Sequence, residues 1–388
     1  MGKRMLAGIL LAGCLLLPFT GMAQEETDQE EALEVFSVSA KAAVLIDQQT
    51  GMVLYAQNET LPLPMASTTK VMTALLTLEY GKLNEVVTTG KNAFGVPGTS
   101  IYLALGEQLT LEQMLYGLML ASGNDAAVAI AEHIGGSVDA FCQKMTDRAA
   151  ELGCKNTVFK TPHGLPNTVH HTTAYDLALI AREAMKYPLF RTIVSSQRGS
   201  IPWPGRSYDR VLNNKNKLLS TYEGATGIKT GYTKAAGRCL VFGAVRNGLE
   251  VVGVVLNCPD WFNEAARVMD YGFENYQHVT ILRDGEQVRT LPVTDGDKEE
   301  VAVRLSGDLS VTLNKDAWPD LEISLPDSLP AGFSEGQEVG QASLSYQGKV
   351  LCTRPLVATQ EVSERTFRSG IRRILESWFT HSQNVAAQ

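Results

Sequence analysis

Positive charge is in short supply: 34 lysines and arginines face 42 aspartates and glutamates in 388 residues. A net charge of −8 is a poor match for a polyphosphate, which excludes nucleic-acid binding. Cysteine is also scarce, at six residues. Cys14 falls in an N-terminal apolar run, and an odd set of Cys142, Cys154, Cys239, Cys258 and Cys352 remains, so no complete disulfide framework exists. Cys142 and Cys154 could bridge around one helix, but free, buried thiols are the expectation. No group of His, Cys or carboxylate side chains has zinc-ligand spacing, and His170-His171 reads as a turn pair in a Pro/Asn/Thr-rich loop. The 34 glycines and 15 prolines follow no period, which with 44% hydrophobic residues excludes collagen-like, coiled-coil and largely disordered chains. A globular chain remains, long enough for two domains.

Residues 1–23 read as a signal peptide: Lys3 and Arg4, an apolar run from Met5 to Phe19, then Gly21-Met22-Ala23 with small residues where a signal peptidase reads. Two alternatives stay open. Leu11-Ala12-Gly13-Cys14 matches a lipoprotein processing box, and Met5 to Met22 approaches the length of an uncleaved membrane anchor. All three put the remainder outside the cytoplasm. Residues 24–34 form an acidic leader. Residues 35–276 predict a mixed α/β (α+β) domain: strand signals at Ala42–Asp47, Met52–Gln57, Arg238–Val245 and Glu250–Leu256 flank a helical stretch. Thr110 with Gln113, Ser137, and Thr173 with Asp176 predict helix caps, and Asn247-Gly248 a hairpin turn. A last helix is expected over Asn263–Tyr276. Residues 277–360 alternate short strands with turn residues, a small all-β domain. In the tail, 361–388, Phe367, Ile371, Ile374, Leu375 and Trp378 recur at helical spacing beside Arg365, Arg368, Arg372 and Arg373. Such an amphipathic C-terminal helix suits the outer face of the cytoplasmic membrane; a surface helix docked on the protein is the alternative.

Three short motifs carry the chemistry: Ser67-Thr68-Thr69-Lys70, Ser122-Gly123-Asn124 and Lys229-Thr230-Gly231. Each alone is weak; their order, spacing and exported context give the set its weight. Residues i and i+3 at a helix start face one way, so the Ser67 hydroxyl and Lys70 amine come within reach. Lys70 acts as a base only when neutral, which burial and a second cation, Lys229, promote. Ser122 and Asn124 offer a proton relay and an amide to hold a peptide backbone, a chemistry that needs no metal or other cofactor. The stretch from Gly224 to Gly231 predicts an edge strand able to pair with an extended peptide. There the N–H groups of Ser67 and Tyr232 would form an oxyanion hole, with Lys229 and Thr230 meeting a carboxylate.

On these motifs the chain resembles the D-alanyl-D-alanine carboxypeptidases, low-molecular-weight penicillin-binding proteins. The likeness extends to Thr161-Pro162-His163-Gly164-Leu165, Ala174-Tyr175-Asp176-Leu177-Ala178 and Asn214-Lys215-Asn216-Lys217, spanning about Ala42 to Tyr276. It implies a β-lactamase/transpeptidase-like fold with helices on both faces of an antiparallel sheet. It also implies removal of the terminal D-alanine from peptidoglycan stem pentapeptides through an acyl-enzyme on Ser67, with β-lactams as inhibitors. Lys215 would face the substrate, and Asn263 stands where some members carry Arg. A β-lactamase is the first alternative, but Gly123 and the lack of a Glu-x-x-Leu-Asn loop between Asn124 and Lys229 weigh against it. A non-catalytic wall-binding protein is the second, and the full set of catalytic residue types weighs against that.

Overall fold

The computed structural model describes residues 36–365. The expected signal peptide and acidic leader, and the expected amphipathic helix beyond Arg365, lie outside the described residues.

The first domain alternates sheet and helix in the order β1 (Ala42–Asp47), β2 (Val53–Gln57), α1 (Lys70–Tyr80), β3 (Val86–Thr88), β4 (Gln108–Thr110), α2 (Leu111–Met119), α3 (Asn124–Gly135) and α4 (Val138–Glu151). It continues through α5 (Ala174–Ala184), α6 (Pro188–Ser195), β5 (Arg198–Ile201), β6 (Arg210–Asn213), α7 (Leu218–Thr221), β7 (Ala225–Thr233), β8 (Gly237–Arg246), β9 (Leu249–Leu256) and α8 (Trp261–Asn275). Five strands form one antiparallel sheet in the order β2-β1-β9-β8-β7, so the two ends of the domain meet at the β1–β9 pairing and β7 is an edge. Alternation along the strands explains why both faces are covered. Ala42, Val44 and Ile46 of β1 and Val252, Val254 and Leu256 of β9 enter the main core with α1 to α6. The opposite face receives α8, whose Gly272 seats directly on Leu45.

Local signals place the helices. Thr110 and Gln113 close a full capping box on α2, while the Ser137 and Thr173 side chains cap α4 and α5. Asn247 and Gly248 turn from β8 to β9 with φ of 50° and 82°, the left-handed pair a tight hairpin requires. The last helix starts at Trp261, two residues before the position expected.

The second domain is all β: β10 (Tyr276–Leu282), β11 (Gln287–Thr294), β12 (Glu300–Leu305), β13 (Leu309–Asn314), β14 (Asp320–Ser324), β15 (Leu329–Pro330), β16 (Glu338–Tyr346) and β17 (Lys349–Ala358). Six of these make a sheet ordered β14-β16-β17-β12-β11-β15 over a core that includes Val301, Val303, Leu305, Leu344 and Leu356. Val362 and Glu364 still bridge to Phe333 and Gly296, so the chain stays attached to this domain past residue 361. Thr312 Oγ1 donates to the buried Asp47 Oδ2 at 2.8 Å and joins the two domains.

Candidate active site

Ser67 lies in a single 3-10 turn, Ala66–Thr69, directly ahead of α1 rather than in the α-helix itself. Ala66 takes φ 49°, a left-handed conformation few side chains adopt. Two contacts fix it. Thr69 Oγ1 donates to Ala66 O at 2.8 Å, and His170 Nε2 lies 2.9 Å from the same hydroxyl. Lys160 N–H donates to His170 Nδ1, so the ring proton is on Nε2 and is given to Thr69, whose own proton goes to Ala66. Burial holds the His170 pKa down at about 4, which keeps this neutral form. His170, which closes the turn from Asn167, is therefore also a buried wedge under the Ser67 turn. From the other side Gly164, at φ 84°, packs against Ala66 O; a Cβ there would lie 1.8 Å from that oxygen.

Lys70 is the first residue of α1 and is fully buried. Its Nζ lies 3.0 Å from Ser67 Oγ, 2.8 Å from Asn124 Oδ1 and 2.9 Å from His163 O. The two carbonyl oxygens can only accept, so they take both protons of a neutral amine. The lone pair then faces the Ser67 hydroxyl, the arrangement of a base awaiting a proton. Burial and then the Lys229 charge hold the Lys70 pKa well below the usual lysine range, with Lys215 adding to the effect and Asp125 opposing it. Lys229, also buried, donates from Nζ to Thr230 O at 3.1 Å; burial and Lys215 bring its pKa to about 7.

Ser122 stands at φ 63° in the turn between α2 and α3. The turn is pinned by Asn124 N donating to Thr99 O at 2.7 Å, and by buried Asp125, which accepts from Ile101 N and Leu103 N. A cavity of about 310 Å³ opens between this turn, the nucleophile and β7, lined by Ser67, Thr99, Ser122, Lys215, Thr230, Gly231, Tyr232 and Trp261. Gly231 is needed at its position: a Cβ would sit 2.9 Å from Ser67 N.

Of the residues expected from sequence, Ser67, Ser122, Lys215, Thr230, Gly231 and Tyr232 line the cavity, while Lys70, Asn124 and Lys229 lie behind it. Asn124 Oδ1 accepts from Lys70 and its Nδ2 donates one proton to Pro97 O, which orients the base and leaves the second amide proton unassigned among these contacts. Asn263 turns away to Asp260 and leaves Lys215 as the cation of the cavity. Sequence reasoning did not anticipate Trp261, Thr99 or the His163 carbonyl. Cys142, Cys154, Cys239, Cys258 and Cys352 are all free. Among the described residues, no group of three or more His, Cys, Asp or Glu is placed to hold a metal ion, and no helix is long and apolar enough to cross a membrane.

A serine hydroxyl 3.0 Å from a buried lysine whose pKa is held down, beside an open sheet edge, is an arrangement suited to serine acyl transfer. The loop facing it, residues 161–172, carries no carboxylate. The chain belongs to the D-alanyl-D-alanine carboxypeptidase family, whose profile matches residues 25–260, and residues 276–364 match the C-terminal domain of penicillin-binding protein 5. D-alanyl-D-alanine carboxypeptidase DacF of Bacillus subtilis is 34% identical across 97% of this chain and 99% of its own length. DacC of Escherichia coli is 31% identical over 94% and 93%. Penicillin-binding protein 5 from Haemophilus influenzae superposes with a TM-score of 0.68 at 29% identity, covering 85% of this chain and 99% of that one. The protein is a serine-type D-Ala-D-Ala carboxypeptidase of the penicillin-binding fold.

Proposed function

We propose that Ser67 is the nucleophile and Lys70 the general base of this carboxypeptidase. Ser67 Oγ attacks the carbonyl carbon of the penultimate D-alanine as Lys70 Nζ accepts the hydroxyl proton. The N–H groups of Ser67 and Tyr232 receive the oxyanion, which a dry site stabilises more strongly than water does. As the C–N bond breaks, the Ser122 hydroxyl gives its proton to the departing D-alanine amine and takes one in turn from the Lys70 ammonium, which leaves Lys70 neutral again. Water then attacks the ester as the neutral Lys70 takes its proton, and that proton returns to Ser67 Oγ as the shortened stem peptide leaves. Lys215 and Thr230 meet the substrate carboxylate from the cavity wall, and Lys229 stands behind them, its charge holding Lys70 neutral.

The 3.0 Å approach of Lys70 Nζ to Ser67 Oγ, with its other two contacts to carbonyl oxygens, carries this reading. β-Lactams acylate the same serine, and the carboxylate-free loop 161–172 supplies no carboxylate base to hasten their release. The test is intact mass after brief penicillin exposure, followed by peptide mapping. One adduct on Ser67, absent from Ser67→Ala, is expected; an adduct elsewhere, or undiminished D-alanine release by Ser67→Ala, overturns the assignment.

The same reading covers the rest of the chain. Residues 1–23 direct export, residues 35–276 carry the catalysis, and the arginine-rich stretch after Arg365 lies on the outer face of the cytoplasmic membrane. Its support is the pattern of five apolar residues at helical spacing among Arg368, Arg372 and Arg373.

A further inference from the structure

The cavity at Ser67 has a neighbour. A second, of about 550 Å³, is lined by Tyr232, Gly237, Arg238, Asn257, Pro259 and Trp261. Tyr232 and Trp261 border both cavities.

The direction of β7 decides what passes there. In the proposed reaction the scissile carbonyl sits at Ser67 and Tyr232, and the terminal carboxylate at Thr230 and Lys215. The substrate therefore runs from Tyr232 toward Thr230, antiparallel to β7, along its open edge. Residues upstream of the two D-alanines must then leave past Tyr232 and Thr233, toward the β7–β8 hairpin. Arg238 is the cross-strand partner of Tyr232, and side chains paired in this way rise on one face of the sheet.

The second cavity is chemically one-sided. Its walls are a tyrosine that is 62% exposed, the Trp261 ring and Pro259, and its charged residue is Arg238. Arg238 donates to Pro259 O and, among the described residues, makes no ion pair, so N–H groups stay free for an anion. The adjacent Asp260 accepts from Asn263 and is not in the lining. A guanidinium beside aromatic walls accepts a carboxylate at the end of an aliphatic arm and disfavours an ammonium.

We infer that this second cavity is the subsite for the residue immediately upstream of the D-alanyl-D-alanine, and that Arg238 there selects a side chain ending in a carboxylate. The inference rests on the reaction proposed above and adds to it the identity of the substrate side chain.

Two soluble peptides separate the cases: Nα-acetyl-L-lysyl-D-Ala-D-Ala with its Nε either acetylated or succinylated. The second ends in a carboxylate. For the wild-type enzyme at low ionic strength, kcat/KM for D-alanine release should favour the succinyl peptide by about fivefold to tenfold, the scale of one exposed charge-assisted contact, and salt should shrink the ratio. Arg238→Gln should bring the ratio to about one and Arg238→Glu should invert it, with penicillin labelling of Ser67 reporting that each variant is folded. A wild-type ratio of one or below, or a ratio unchanged by Arg238→Gln, overturns the subsite. Labelling of Ser67 with neither peptide cleaved would instead refute the carboxypeptidase mechanism, and the subsite with it.

Discussion

Replacing Gly164 by alanine should disable the nucleophile without touching any group that meets the substrate. The added Cβ would lie 1.8 Å from Ala66 O, 2.4 Å from Ala66 C and 2.7 Å from Thr69 Oγ1, where ordinary contacts begin at 3.4 Å. Two of the three atoms are backbone and cannot swing aside. The two segments must part by about 1.5 Å, and a displacement of about 1 Å at a reacting centre costs on the order of a hundredfold in rate. Acylation by a fluorescent penicillin should fall by at least that factor. Stability should fall too: alanine at φ 84° costs ~1 kcal/mol and the overpacking a further ~1–3 kcal/mol, lowering Tm by roughly 5–10 °C in a domain of this size. Gly205→Ala separates the two effects, since Gly205 has φ 82° with nothing within 4 Å of its Cβ position. It should cost about 2–4 °C in Tm and leave acylation intact. Wild-type labelling by Gly164→Ala, or an equal loss of labelling in Gly205→Ala, would refute the claim that the loop around Gly164 sets the Ser67 turn.

Two further outcomes follow from the charges and from the seam between domains. Lys229→Met removes a cation that disfavours protonated Lys70, so the Lys70 pKa rises and the acid limb of the acylation profile moves to higher pH; a limb that stays in place or moves down contradicts this pairing. Thr312→Val removes one of the donors to Asp47 while Gln49 N, Thr50 N and Thr50 Oγ1 remain. A loss of ~1 kcal/mol, read by calorimetry as a Tm lower by about 2–4 °C with penicillin acylation unchanged, is expected; an unmoved Tm would show the link contributes nothing.

What the sequence revealed was what neighbours decide. The caps at Thr110, Ser137 and Thr173 and the Asn247-Gly248 hairpin depend on four or five consecutive residues, and each stands in the structure as read. The pairing of Ser67 with Lys70 belongs with them, being a spacing of three at a helix start. Other features depend on distant contacts that no local pattern encodes. The amide of Asn124 is oriented by Lys70 and Pro97, and His170 is drawn under Ala66 from a loop about a hundred residues on. Trp261 reaches the cleft because α8 packs on the back of the sheet and begins at its rim. The burial of Lys229 has the same origin: β7 is pressed against the nucleophile turn, and only glycine at 231 permits so close an approach.

Helix α8 has a further mechanical meaning. Its first residue, Trp261, walls the cleft, and where it ends at Asn275 the chain passes at once into β10 of the second domain. Fifteen residues of α-helix make a stiff rod of roughly 22 Å. The second domain is thus joined, with no intervening linker, to the same rod whose other end carries a ring that lines the cleft.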